Sequence, residues 1–325
     1  MVEGIRLGTG KAFNKQTMMQ NIITLGILIV LFIVLSIVSD SFLSASNMIT
    51  VLRQVVMVVV VGAGVTLLMI AGNIDLSVGS VLALSGVVYA SLAVKGVPLF
   101  VGALVAVAMG CACGVLNALM VTKLNVTPVI ATMGIMYAAR GLALVLAGGH
   151  TITMGLPMNF NEFGRSTIGG VVPTTVIIML IIVLVFIFIQ TKTVLGKYSF
   201  AIGGNAHAAI FSGINIKKYV SWLFIIVGIL TGFAGVITAS RLGVGDPNAG
   251  SGFEFDVIVA VVLGGTSMNG GEGSVTGMVV GALIVGFLAN GLNLLGVDSF
   301  YQYILKGAVL VGAVVMDSAL KKKFA

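Results

Sequence analysis

Residues 55–94 read VVMVVVVGAGVTLLMIAGNIDLSVGSVLALSGVVYASLAV, and this stretch decides the fold class of the chain. It holds two apolar runs, 55–71 and 78–94, with a short polar interruption between them. Each run approaches the roughly 20 residues that an α-helix needs to cross a bilayer's ~30 Å hydrocarbon core. The pattern therefore predicts two membrane helices with a break where the polar residues lie.

Similar apolar runs recur along the rest of the 325 residues. The chain is 58% hydrophobic and only 8% charged, whereas a soluble domain averages about 25% charged residues. Its 44 glycines suit helices that pack closely in lipid. The runs lie at 22–38, 55–71, 78–94, 99–121, 129–147, 171–189, 220–239, 257–263, 275–295 and 304–315. We predict an all-α, polytopic integral membrane protein with about ten transmembrane helices.

The basic residues orient these helices, because lysine and arginine are enriched in cytoplasmic loops. With the amino terminus inside and ten crossings, the inside segments hold eleven of the 17 basic residues: Arg6, Lys11, Lys15, Lys123, Lys192, Lys197, Lys217, Lys218, Lys321, Lys322 and Lys323. The outside segments hold Arg53, Lys95, Arg165 and Arg241. Both termini are therefore predicted in the cytoplasm. The net charge of +7 reflects this orientation and not a nucleic-acid partner.

This orientation divides the chain into a cytoplasmic segment, 1–20, one transmembrane domain, 21–318, and a basic cytoplasmic tail, 319–325. Inside the domain, 148–172 is predicted as an extracytoplasmic loop. The segment 191–218, TKTVLGKYSFAIGGNAHAAIFSGINIKK, is predicted as a cytoplasmic loop. Its flanking lysines favour a short helix at the membrane surface, and a solvated connector is the alternative.

A second break falls at RLGVGDPNAGSGFEFDV, residues 241–257. The first break is predicted to face the cytoplasm and the second to face outward. Paired breaks of opposite orientation are typical of inverted repeats around a transport pathway. We therefore expect broken helices related by an inverted repeat.

The sequence lacks the motifs of several other functions. No phosphate-binding G-x-x-x-x-G-K-[ST] and no zinc-binding H-E-x-x-H occurs, and His150 and His207 stand alone. No catalytic residue, metal site or cofactor is predicted, so a membrane-embedded enzyme is disfavoured. No apolar run carries a central Asp or Glu, the usual site of ion coupling. A pathway for a polar solute would therefore need an outside energy source.

Two charged residues interrupt apolar surroundings. Placing a carboxylate such as that of Asp75 near hydrocarbon costs on the order of 2.5–3.5 kcal/mol. The cost falls if Asp75 caps the helix that starts near Ser77; direct contact with a solute is the alternative. Arg140 lies within a span, where it needs a partner or a wet cavity, unless it snorkels to the interface.

A pair of carboxylates, Glu254 and Asp256, precedes the eighth apolar run. Two interpretations are open for this pair. It could receive a basic surface of a partner protein, or it could simply end the helix at the membrane interface.

Several long motifs resemble one known family. They are IDLSVGS at 74–80, PVIATMGIMYAARGLAL at 128–144, GKYSFAIGGNAHAAIFSGI at 196–214, GSGFEFDVIVAVVLGGTSMNGGEGSVTG at 250–277, NGLNLLGV at 290–297 and QYILKGAVL at 302–310. Together they resemble the permease subunits of ribose-type bacterial ABC importers, monosaccharide permeases within the branched-chain amino acid/ribose permease superfamily. The resemblance runs from about Asn47 to the carboxyl terminus.

The resemblance implies a homodimeric permease in the bacterial inner membrane. A cytoplasmic ATP-binding subunit and an extracytoplasmic solute-binding protein would serve it, and ATP would be used by the partner, so the permease itself would not be an enzyme. The implied cargo is a monosaccharide, a ribose-like pentose or a hexose, moved by alternating access. A nucleoside or a sugar-derived signal is the alternative cargo. A stand-alone carrier or channel is the alternative mechanism.

The resemblance also assigns roles to residues. The ATPase-coupling residues are Gly203, Gly204, Asn205, Ala208, Ala209, Ser212 and Gly213. The residues of the translocation pathway or helix break are Asn73, Asp75, Ser77, Arg140, Asn290 and Asn293. Binding-protein docking or an outer gate is expected at Arg241, Glu254 and Asp256. The chain departs from the family pattern at Asn73, often Gly, and at Phe253 and Phe255, where the family has Tyr and Leu. The solute is therefore left open.

Overall fold

The computed structural model describes residues 10–298, 300–302, 304–309, 311–312 and 315. Its α-helices are α1 Gly10–Val38, α2 Ala45–Ile70, α3 Val78–Val94, α4 Leu99–Thr122, α5 Pro128–Leu146, α6 Glu162–Arg165, α7 Thr174–Lys192, α8 Val194–Gly204, α9 Ala206–Phe211, α10 Ile216–Leu242, α11 Phe253–Leu263 and α12 Val275–Leu294. A 3₁₀ turn, Met158–Asn161, precedes α6, and the hairpin of β1, Thr167–Ile168, and β2, Val172–Pro173, follows it. Helical backbone recurs over 300–302, 304–309 and 311–312.

The predicted all-α membrane fold is confirmed in the described part of the chain. Six helices are long and apolar enough to cross a membrane, namely α2, α4, α5, α7, α10 and α12. Two shorter apolar helices, Ile22–Val38 and Val78–Val94, match two further predicted spans. The predicted span 304–315 lies only partly within the described residues, and both the first nine residues and the tail 319–325 lie outside them.

The span predicted at 257–263 is a half-length helix. It belongs to α11, which has 11 residues and is therefore only about 16 Å long at 1.5 Å per residue. A helix of this length crosses about half of a ~30 Å hydrocarbon core. The start of α11 at Phe253 could not be predicted from the sequence, because the apolar run begins four residues later.

Two segments of the fold run in opposite directions with the same order of elements. The first consists of α2, a break, α3 and α4, and the second of α10, a break, α11 and α12. α2 ends beside α8, whereas α10 begins just after α9, so these two helices are antiparallel. α3 packs against α10 and α4, and α11 correspondingly packs against α2 and α12. The second helix of each repeat therefore packs against the first helix of the other repeat, as expected of an inverted repeat.

Small residues allow a close crossing of α4 with α10. Gly110 and Gly114 on α4 face Gly228 and Gly232 on α10, each pair spaced four residues apart. A Cβ on Gly228 would collide with the carbonyl oxygen of Gly110. The two backbones therefore touch, which is how small-xxx-small patterns act in membrane helices.

We expect the substitution Gly228→Val to destabilise the protein by about 1–3 kcal/mol or more, because the branched side chain overpacks the crossing. The measurement is thermal unfolding in detergent. Gly134→Val on α5 is the matched control, since a Cβ at Gly134 meets nothing within 4 Å. Equal melting temperatures for the two variants would contradict the prediction.

Candidate functional site

The first break, between α2 and α3, is organised by a buried carboxylate. Asp75 is 2% exposed, and its Oδ1 accepts hydrogen bonds from the Ser77 backbone N–H at 2.8 Å and the Ser77 hydroxyl at 2.6 Å. Ser77 is the N-cap residue of α3. Asp75 therefore ties down the start of α3, the local role that the sequence left open beside solute contact.

A side chain that the sequence analysis did not single out completes this network. Asn117 of α4 is 1% exposed, and its Nδ2 donates to Asp75 Oδ2 at 3.3 Å and to Ser77 Oγ at 3.0 Å. No lysine or arginine among the described residues forms an ion pair with Asp75. Neutral donors alone satisfy this carboxylate. The available signal was a lone amide in the apolar run 99–121, since polar residues inside membrane helices are costly and retained for a use.

We expect Asn117→Leu to destabilise the protein by about 1–3 kcal/mol, because it leaves the buried Asp75 oxygen without its donor. The measurement is again thermal unfolding in detergent. The control is a double-mutant cycle with Asp75→Leu, in which the second substitution should cost much less because the carboxylate is gone. Additive losses would contradict a direct interaction.

The second break, 243–252 between α10 and α11, is held by Arg140 of α5. The Arg140 Nη1 donates to the carbonyl oxygens of Pro247 at 2.6 Å and Ala249 at 2.9 Å. Glu254 and Asp246 lie close enough to interact electrostatically with this guanidinium. Arg140 thus finds hydrogen-bond partners within the protein, as a charge within a span requires.

The two breaks meet at Gly79. A Cβ on Gly79, in the first turn of α3, would collide with the Gly250 carbonyl oxygen and the Glu254 carboxylate. Glu254 is 8% exposed, so its side chain faces the other break and not a docked protein. The amino-terminal ends of α3 and α11, which carry positive helix-dipole charge, therefore lie side by side. Helix amino termini that meet at the breaks of inverted repeats are typical of the substrate region of such transporters.

A cavity of about 260 Å³ lies on one side of this contact. Helices α2, α10, α11 and α12 line it, and its polar residues are Gln54, Thr238, Arg241, Asp256 and Asn293. Arg241 stands at the end of α10 remote from α9, so the cavity is at the predicted outer end; we call it the outer cavity.

The other predicted residues of this region make specific contacts. Asp256 forms an ion pair with Lys306 at 2.8 Å, and Asn293 accepts a hydrogen bond from Gln302 at 2.8 Å. The structure does not bring Asn290 to the outer cavity. Asn290 instead exchanges two amide hydrogen bonds with Asn47, at 3.0 and 2.7 Å, which join α12 to α2.

A wider cavity of about 740 Å³ lies at the predicted cytoplasmic end, and we call it the inner cavity. Asn73 lines it, together with four further asparagines from other segments: Asn125, Asn205, Asn215 and Asn269. An amide group both donates and accepts hydrogen bonds. The inner cavity is therefore rich in neutral polar partners, and Lys217 is the charged side chain among its lining residues.

The predicted coupling loop contains two helices, α8 and α9. Asn205 separates them and caps α9 by accepting a hydrogen bond from the Ala208 N–H at 2.9 Å. Five of the residues assigned to coupling are exposed: Gly204, Asn205, Ala208, Ser212 and Gly213. Phe211 is 90% exposed and Ile210 is 58% exposed. The sequence analysis missed these two; the signal was apolar side chains in a segment predicted to lie in water.

The structure places the other two coupling residues toward the bundle. Ala209 is 3% exposed, and Gly203 packs against the Ile70 carbonyl oxygen and the Gly271 N–H. Ala209 is buried, and Gly203 lies partly exposed at the inner cavity. Their assignment to the coupling surface stays a prediction.

Gly203 belongs to a contact of main chains that we call the glycine junction, formed by Gly72, Gly203, Gly270 and Gly271. The Gly271 N–H donates to the Ile70 carbonyl at 2.8 Å, and a Cβ on Gly270 would lie 3.0 Å from the Cα atoms of both Gly203 and Gly72. The junction joins α8 to the end of α2, just before the first break, and to the hairpin that follows α11. Through this junction α8 contacts both repeats.

Two oppositely directed repeats, whose breaks meet inside a helical bundle, are typical of membrane transporters. The fold therefore places the chain in this class of protein. Residues 47–314 match the family described as branched-chain amino acid transport system / permease component. The chain belongs to this permease family.

Individual relatives support the same membership. The chain is 42% identical over 293 residues to the ribose import permease of Escherichia coli strain K12, covering 90% of this chain and 91% of the relative. It is 38% identical over 285 residues to the D-allose transport system permease of the same strain, covering 87% and 86%. It is 34% identical over 291 residues to the L-arabinose ABC transporter permease of Azospirillum brasilense, covering 90% and 85%. No solved structure matched the chain.

These findings confirm the resemblance to ribose-type permeases and the multi-pass membrane location expected for a bacterial inner-membrane permease. Membership also makes the chain a transport component and not an enzyme.

Proposed function

We propose that the chain is the transmembrane permease subunit of an ATP-driven, binding-protein-dependent importer of a monosaccharide. The cargo is a ribose-like pentose or a hexose. The supporting observation is 42% identity across 90% of the chain to a ribose import permease, joined by relatives named for D-allose and L-arabinose. Ribose, D-allose and L-arabinose are neutral sugars. Their hydroxyl groups can form hydrogen bonds with side-chain amides such as those that line the inner cavity.

The pathway runs from the outer cavity to the inner cavity, past the contact of α3 with α11. Gly250 lines the outer cavity, and Gly72 and Asn73 line the inner one. The close contact of Gly79 with Gly250 and Glu254 separates the two cavities and closes the pathway. Alternating access would separate this contact on one side at a time.

A second copy of the chain completes the pathway. The outer cavity holds the charged residues Arg241 and Asp256. Charged side chains at membrane depth need water or protein around them. A homodimer with two such cavities facing each other would shield these groups from lipid.

A cytoplasmic ATP-binding subunit would dock on α8 and α9, where Phe211 and Ile210 project. ATP would be bound and hydrolysed by that subunit, and the permease would need no cofactor of its own. An extracytoplasmic solute-binding protein would deliver sugar to the outer cavity.

The test is uptake into proteoliposomes that hold the permease and its ATP-binding subunit. Radiolabelled D-ribose, D-allose, L-arabinose and a nucleoside, adenosine, are offered with the binding protein. We expect one of the sugars to accumulate only when ATP, the ATP-binding subunit and the binding protein are all present. Uptake that needs neither ATP nor a partner would favour a stand-alone carrier, and uptake of adenosine alone would overturn the sugar assignment.

A further inference from the structure

A third cavity, of about 430 Å³, lies between α3, α4 and α10 at the predicted outer end, and we call it the side cavity. It shares no lining residue with the outer cavity or the inner cavity, so the proposed sugar pathway does not use it. Its lining is apolar except for Tyr89, Asn159 and Glu162. Apolar walls with a few polar groups are typical of a site that binds a small molecule.

The side cavity lies on a face of α4 that is suited to contact lipid. Phe100 is 75% exposed and Leu104 is 55% exposed, and both line the cavity. α4 is long and apolar enough to cross a membrane, and lipid tails are as apolar as leucine. From Leu99 to Val107, which also line the cavity, α4 runs about 12 Å at 1.5 Å per residue. The cavity therefore offers an acyl chain an apolar wall of this length.

The polar residues of the side cavity have hydrogen-bonding groups without partners. Glu162 of α6 is exposed, and no lysine or arginine nitrogen lies within 4 Å of its carboxylate in the described part of the chain. Tyr89 is only 2% exposed and stacks on Phe160, with the ring centroids 4.8 Å apart. Its hydroxyl forms no hydrogen bond to any described residue, although a buried tyrosine hydroxyl usually has a partner. The site thus holds an unpaired anion and an unused donor.

We propose that the side cavity binds phosphatidylethanolamine, with an acyl chain along α4 and the headgroup ammonium on Glu162. A primary ammonium carries three N–H donors, and hydrogen bonds between charged groups are about twice as strong as neutral ones. Phosphatidylcholine has no N–H group on its nitrogen, and phosphatidylglycerol carries no cation. The Tyr89 hydroxyl can donate to an ester carbonyl of the same lipid. The bound lipid would join the predicted outer loop to α4 and α10, whichever cargo the permease carries.

The test is native mass spectrometry of the complex of permease and ATP-binding subunit, released from nanodiscs that contain phosphatidylethanolamine, phosphatidylcholine and phosphatidylglycerol in equal amounts. We expect each wild-type permease chain to retain a phosphatidylethanolamine in preference to the other two lipids. Glu162→Gln should lower that retention about tenfold, because it removes a charge-assisted hydrogen bond. Asp40→Asn is the matched control, since Asp40 is an exposed carboxylate of another predicted outside segment. Its retention should equal that of the wild type.

The variant Tyr89→Phe removes only the hydroxyl and should also lower the retention, by a smaller factor than Glu162→Gln. Variants are compared only if they elute as single species from size-exclusion chromatography, and Tyr89→Phe decides alone if Glu162→Gln does not. Equal retention of the three lipids by the wild type would overturn the proposal. Unchanged retention of phosphatidylethanolamine in the variants would overturn it as well.

A second copy of the chain is the competing occupant of the side cavity. Oxidative crosslinking of a Phe100→Cys variant tests for this contact, in a chain whose free Cys111 and Cys113 are replaced by alanine. We expect no crosslinked pair of permease chains. A disulfide that joins two copies at position 100 would assign the cavity to an interface between them and overturn the lipid proposal.

Discussion

Replacing Phe211 with aspartate is expected to abolish ATP-driven uptake while leaving the permease folded in the membrane. Phe211 is 90% exposed at the end of α9, on the segment proposed to dock on the ATP-binding subunit. An aromatic side chain that acts as a binding hot spot contributes about 2 kcal/mol or more, which corresponds to about 30-fold in Kd. Aspartate adds the cost of burying a charge in an apolar pocket. The measurement is copurification of the ATP-binding subunit together with uptake in proteoliposomes.

The matched control for this variant is Leu124→Asp. Leu124 is 70% exposed in the predicted cytoplasmic turn between α4 and α5, so it introduces the same charge at the same end of the bundle. We expect this control to retain the ATP-binding subunit, and Phe211→Trp to retain it as well. A Phe211→Asp variant that binds the subunit and transports like wild type would remove α9 from the docking surface.

A second large effect is expected of Gly79→Ala, which should reduce uptake at least tenfold. The new methyl group would collide with the Gly250 carbonyl oxygen and the Glu254 carboxylate. Overpacking of this kind costs about 1–3 kcal/mol, and here the cost falls on the conformation in which the two breaks touch. That conformation would be depopulated, and alternation of access would be lost with it. The measurement is the initial rate of uptake at a saturating concentration of the binding protein.

Two further variants sharpen this test. Gly141→Ala on α5 is the control, because a Cβ there meets nothing within 4 Å. Adding Glu254→Ala to Gly79→Ala removes the flexible obstacle but not the Gly250 carbonyl, so uptake should not recover. Full recovery in the double variant would show that the carboxylate alone was the constraint. Unchanged uptake by Gly79→Ala would mean that the contact is not part of the cycle.

Much of the fold could be predicted from local pattern. The runs around α2 and α3 are apolar enough to require lipid, and the polar residues Asn73, Asp75 and Ser77 between them indicated a break. The length of α11 was harder to predict, because half of the break before it consists of small and apolar residues. The short helices of the predicted outer loop, including α6, leave no hydrophobic periodicity over so few residues.

Individual residues of the site could be predicted from the sequence, but their hydrogen-bond partners could not. Asp75 and Arg140 stood out because charges are rare in such surroundings. Their partners did not, since Asn117 is 42 residues from Asp75 and Pro247 is 107 residues from Arg140 along the chain. Contacts at such separations follow from the packing of the repeats, which no single segment encodes. For the same reason the sequence could not indicate that Arg165 donates a hydrogen bond to the Arg241 carbonyl, 76 residues away along the chain.

The glycine junction has a mechanical consequence. Because Gly203, Gly270 and Gly271 approach through their main chains, no side-chain torsion lies between α8 and the ends of the two repeats. Side-chain rotamer flips are among the fast local motions of proteins, and none of them intervenes at this contact. We therefore expect a displacement of α8 to move the ends of both repeats directly. Both repeats should then shift together, and by a similar distance, in each ATP hydrolysis cycle of the partner subunit.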